Sequence, residues 1–123
     1  MGVFLMWSFL ASGQSNFNGE WNLSTKSSDF SLTLNQTNSK SITGQHCSVM
    51  YNGDRIDCAT DGEKTISGTI QGDSIIVTFM SEYSMTKGKA VIKKVNDKQI
   101  SWRVIQSPKG IYYIPDEVIL TKE

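Results

Sequence analysis

The chain of 123 residues is short of the groups on which most chemistry depends. It has one histidine and two cysteines, too few for a tetrahedral zinc site without carboxylates, and Cys47 and Cys58 lack a C-x-x-C spacing. The carboxylates Asp54, Asp57, Asp61 and Glu63 cluster without the spacing of an EF-hand. No metal or cofactor is therefore expected. Lysine plus arginine equals aspartate plus glutamate at 12 each, so no overall field draws the protein to nucleic acid or an anionic membrane. No apolar run is long enough to span a bilayer as a helix, so integral insertion is not expected. Helical periodicity, a linker and low-complexity sequence are missing as well, which leaves one domain.

What is present begins with a hairpin. Asn52-Gly53 stands between two alternating runs, and this pair favours a two-residue turn because both residues tolerate positive φ. Opposing residue numbers then sum to 105: Val49 faces Ile56, and Cys47 faces Cys58. The only two cysteines meet across the ladder, which predicts a structural disulfide and an oxidising compartment. Val49 and Ile56 share the cysteine face, so that face is expected to be apolar and the Ser48 face wet.

Residues Val3–Ala11 form an apolar run, followed by Ala11-Ser12-Gly13 and polar Gln14-Ser15-Asn16. The pattern fits a secretory leader over 1–13, with the folded domain at 14–123; a hydrophobic first strand or capping helix is the alternative. Leader and cysteine pair both point to a periplasmic or secreted protein.

From Gly19 onward, short alternating runs are separated by turn residues. Strands are predicted at Gly19–Thr25, Asp29–Gln36, Ser41–Tyr51, Asp54–Thr60, Lys64–Ile70, Ser74–Met80, Lys89–Val95, Gln99–Gln106 and Val118–Thr121. Consecutive hairpins without a long crossover predict an all-β fold, a single antiparallel up-and-down β-barrel of about eight strands. Ile42-Thr43-Gly44 and Ile66-Ser67-Gly68 echo each other, and both glycines are expected at barrel corners.

Gly19-Glu20-Trp21, Ile42-Thr43-Gly44 and Trp102 resemble the calycin group, which comprises lipocalins, fatty-acid-binding proteins and avidins. The G-x-W start is similar to that of lipocalins. The resemblance implies a barrel floor closed by Trp21 with Arg103 packed on it. Trp21-Asn22-Leu23-Ser24 lacks the avidin spacing, so the resemblance carries a fold and no ligand.

Ser48, His46 and Asp57 fall on one hairpin face, with Ser48 opposite Asp57. Ser48 and His46 lie two apart on one strand, which does not aim the imidazole at the hydroxyl, and no oxyanion hole is evident. The expectation is a binding protein and not an enzyme. A small apolar ligand would meet Phe30, Phe79 and Trp102 in the barrel, or Tyr83, Tyr112 and Tyr113 at its mouth. Consecutive tyrosines could equally point to opposite faces of a further strand. The alternative function is a protein-binding module, such as an inhibitor of an exported enzyme, acting through the Tyr112-Tyr113 segment and the 81–88 loop.

Overall fold

A computed structural model of the chain describes residues 16–123. The expected leader, 1–13, lies outside the described residues. Among the described residues nine strands form: β1 (Gly19–Ser24), β2 (Asp29–Gln36), β3 (Ser41–Met50), β4 (Arg55–Cys58), β5 (Ile66–Gln71), β6 (Ser74–Met80), β7 (Lys87–Asn96), β8 (Gln99–Gln106) and β9 (Glu117–Lys122). All pairings are antiparallel. Eight strands close a ring in the order β1-β2-β3-β5-β6-β7-β8-β9, and β4 lies outside it, paired to β3 alone. No helix among the described residues is long and apolar enough to cross a membrane.

β3 makes this arrangement possible by serving two neighbours along one edge. Its first half, Ser41–Gly44, pairs with β5, and its second half, Cys47–Met50, pairs with β4. The excursion through β4 therefore leaves and re-enters the wall at one place.

Alternation fills the interior. Leu32 and Leu34 on β2, Ile42 on β3, Ile75, Val77 and Phe79 on β6, and Ile92, Ile100 and Trp102 on β7 and β8 are buried. Phe17 and Trp21 are fully buried, and the Trp21 indole N–H donates to the Phe17 carbonyl at 2.9 Å. The cations over the Trp21 ring are Lys94 and Lys122, with Nζ atoms 5.3 and 5.4 Å from its centroid. Arg103 is exposed and paired in register with Glu117, so the expected tryptophan–arginine stack is replaced by two lysines from β7 and β9.

The two I-x-G echoes pair with each other, Ile42 against Gly68 and Gly44 against Ile66. A Cβ built on Gly44 would stand 2.3 Å from the Thr33 carbonyl, and one on Gly68 would stand 2.4 Å from the Ile76 carbonyl. These are places where neighbouring backbones approach too closely for any side chain.

Candidate functional site

The expected hairpin register holds: Cys47 pairs with Cys58, Ser48 with Asp57, Val49 with Ile56 and Met50 with Arg55. Asn52 and Gly53 both take positive φ, and Cys47 and Cys58 are disulfide-bonded. The assignment of faces is reversed. Ser48, His46 and Asp57 are buried, whereas Ile56 is 58 % exposed. The reason lies at the start of β3, where inward-facing Ile42 sets the parity that His46 and Ser48 continue. β2 agrees, with Leu32 opposite His46 and Phe30 opposite Ser48.

Because these polar groups are buried, each must find a partner. Asp57 accepts four hydrogen bonds. His46 Nε2 lies 3.0 Å and the Glu82 N–H nitrogen 2.7 Å from Oδ1; Ser81 Oγ lies 2.6 Å and the Tyr113 nitrogen 3.2 Å from Oδ2. Burial pushes the Asp57 carboxyl up, but these donors together outweigh it and hold the group below its ordinary range. With Asp57 ionised, His46 carries its proton on Nε2. The other ring nitrogen, Nδ1, lies 2.7 Å from the Thr65 hydroxyl oxygen, which also accepts the His46 backbone N–H at 3.2 Å. Ser81 Oγ in turn accepts the Tyr83 and Ser84 N–H groups.

Asp57 thus ties together β3, the β6–β7 loop and the segment before β9. Glu82 on that loop keeps one carboxyl oxygen buried without a partner. Burial, reinforced by Glu63, pushes the Glu82 carboxyl up, while hydrogen bonds from Thr60 hold Glu63 down.

Above this network sits a cluster of aromatic side chains. Tyr83 meets Tyr113 edge to face with centroids 4.7 Å apart, and Tyr51 meets Tyr113 the same way at 6.3 Å. The Arg55 guanidinium lies 5.7 Å from the Tyr113 ring centroid, and its Nε donates to the Tyr113 hydroxyl at 3.2 Å. This contact raises the Arg55 pKa. Tyr51, Ile56, Met85 and Ile111 are each more than half exposed.

The residues singled out from sequence divide into two groups. Phe30, Phe79 and Trp102 lie inside, where the Trp102 ring sits 5.4 Å from Phe30 and 5.2 Å from Phe79, and all three are buried. Tyr83 and Tyr113 stand together at the rim. Tyr112 is half-buried against the core, and its hydroxyl donates to the Asp116 carboxylate at 2.7 Å. Sequence reasoning missed Thr65, Ser81, Tyr51 and Arg55. The parity of Ile75, Val77 and Phe79 on β6, carried one step further, would have found Ser81.

Among the described residues, no three His, Cys, Asp or Glu side chains converge as a metal ion would require. No protein family, curated protein or solved structure matches the chain.

Proposed function

We propose that this protein is an exported protein-binding module that engages its partner through the rim built by Tyr51, Arg55, Tyr83 and Tyr113. The observation that carries the reading is the solvent-facing cluster of three edge-to-face tyrosines with an arginine on the central ring. Tyrosine and arginine dominate the energetic centres of protein interfaces, and exposed Ile56, Met85 and Ile111 supply apolar area beside them. The buried Asp57 network holds the rim's segments in place before any partner arrives, which lowers the ordering cost of association.

The rings of Phe30 and Phe79 both pack on Trp102 in the core, contacts that support an external binding surface over a carrier's cavity. The disulfide suits an oxidising compartment, and the closed barrel is of the kind calycins use. An inhibitor that blocks an exported enzyme with its loops is the specific form we favour.

The test is affinity capture with the purified protein against the exported fraction of its producing cell, read by quantitative mass spectrometry. Wild type should enrich a partner that the folded Tyr113→Ala and Arg55→Ala variants lose by about tenfold or more, as interface anchors do. Equal recovery by wild type and both variants would remove the rim from the reading.

A further inference from the structure

We propose that Thr65 is a nucleophile, activated by His46 and Asp57, in a second site that attacks small esters bearing a negative charge. It adds a reaction to the binding surface, at a pocket whose lining shares no residue with the rim.

The first support is the order of hydrogen bonds. Thr65 donates its O–H to His46 Nδ1 at 2.7 Å, and His46 donates Nε2–H to Asp57 at 3.0 Å. All of Asp57's hydrogen-bond partners are donors, so Nε2 carries a proton, and in the neutral imidazole Nδ1 is then the acceptor that faces the Thr65 hydroxyl. A hydroxyl, an imidazole and a carboxylate linked in that sense form the relay by which a base draws the proton from an attacking oxygen. Thr65 Oγ1 accepts only the His46 N–H, which leaves it a lone pair for attack.

The second support is access. Thr65 is 4 % exposed, and it lines a pocket of about 160 Å3 that also includes Lys64, Phe79, Met80 and Lys87. The hydroxyl missing from the Ser48 arrangement is therefore supplied from β3's other neighbour, at the entry to β5. Met80 offers apolar surface to an acyl chain. Lys64 and Lys87 bring two positive charges, which favour an anionic substrate and stabilise an oxyanion as it forms.

In the step proposed, Thr65 Oγ bonds to the ester carbonyl carbon while its proton moves to His46 Nδ1, and Asp57 stabilises the imidazolium. The bond to the leaving alkoxide breaks, and the departing oxygen takes that proton. Water then attacks the acyl-threonine by the same route. Ester and water become acid and alcohol, and Thr65 is restored.

A p-nitrophenyl phosphonate reports the nucleophile by peptide mass spectrometry, and p-nitrophenyl acetate and p-nitrophenyl hydrogen succinate report turnover. Wild type should carry one adduct, on the peptide containing Thr65, and cleave the succinate faster than the acetate. Thr65→Val keeps the shape and should lose the adduct, and Thr65→Ser should keep it. His46→Gln should slow labelling about 100-fold, the contribution of a positioned base. Lys64→Ala with Lys87→Ala should abolish the preference for the succinate. Each variant is first melted to establish that it folds; if His46→Gln does not, the Thr65 pair decides alone. Folded wild type that takes no label, or Thr65→Val labelled as fast as wild type, overturns the proposal.

Discussion

Ser48 and Asp57, opposite each other across the β3–β4 ladder, grip the two backbone polar groups of one residue, Tyr113. Ser48 donates its hydroxyl to the Tyr113 carbonyl, and Asp57 accepts the Tyr113 N–H. The hairpin that carries the disulfide is thereby locked to the segment that carries the central rim tyrosine.

Replacing Asp57 by Asn should destabilise the fold by on the order of 3 kcal/mol, because the buried carboxylate's hydrogen bonds, each worth about 1.5–3 kcal/mol to a charged acceptor, are weakened or lost. An amide turns one acceptor into a donor where every neighbour already donates. Urea denaturation followed by tryptophan fluorescence checks this; a loss under 1 kcal/mol would show that the network is not what holds the rim.

Stability should fall in acid through the same residue. The folded-state pKa of Asp57 is lowered, so its contribution is fully present above the unfolded value, near 3.9, and is lost as pH falls through the folded value. Denaturation midpoints measured from pH 6 downward should therefore drop below about pH 4, and Asp57→Asn should flatten that limb.

Glu82 works in the opposite sense. Its folded pKa is raised, so it favours the fold when protonated and opposes it once pH rises through that value. Glu82→Gln should raise the melting temperature at pH 7 and have little effect near pH 4. A lower melting temperature at pH 7 would contradict the assignment.

Opening the disulfide should loosen the excursion and spare the ring. The bond spans a sequence separation of 11, and closing so short a loop is worth on the order of 3 kcal/mol. Since β4 pairs only with β3, hydrogen exchange after reduction should accelerate at Arg55–Cys58 and leave β6–β8 protected.

Gly68→Ala should fail to fold or lose several kcal/mol, because its Cβ would meet both the Ile76 carbonyl and Val77 Cγ1, the latter at 2.7 Å. Expression yield and a thermal melt read this directly. Gly72→Ala, at a turn with nothing within 4 Å of the added Cβ, controls for the loss of glycine itself, subject to the strain of its positive φ.

Periodicity made most of the fold legible. Asp29–Gln36, Ser74–Met80 and Gln99–Gln106 match their predicted limits, because each alternates cleanly between turn residues. Register in the Asn52-Gly53 hairpin followed from the turn alone. The sidedness of that hairpin did not, because Val49 and Ile56 are apolar residues on an outer wall. Apolar residues are common on protein surfaces, so two of them cannot fix a core face. Extending the parity of Ile42 would have fixed it correctly. The site was less legible because it joins residues from β3, β4, the entry to β5, the β6–β7 loop and the segment before β9. No local pattern records that Thr65 reaches His46 or that Ser81 reaches Asp57.

That β4 stands outside the ring separates what must be kept from what can change. The wall passes from β3 to β5 whatever the intervening residues do, so Tyr51–Asp54 can be altered without asking the barrel to close differently. Tyr51, Asn52, Gly53 and Asp54 are all exposed. The excursion is thus a graft point, tolerant of a new loop sequence so long as Cys47, Asp57 and Cys58 stay to anchor it. A library randomised at this turn should retain folded members in high proportion, which makes the chain a scaffold for selecting new specificities.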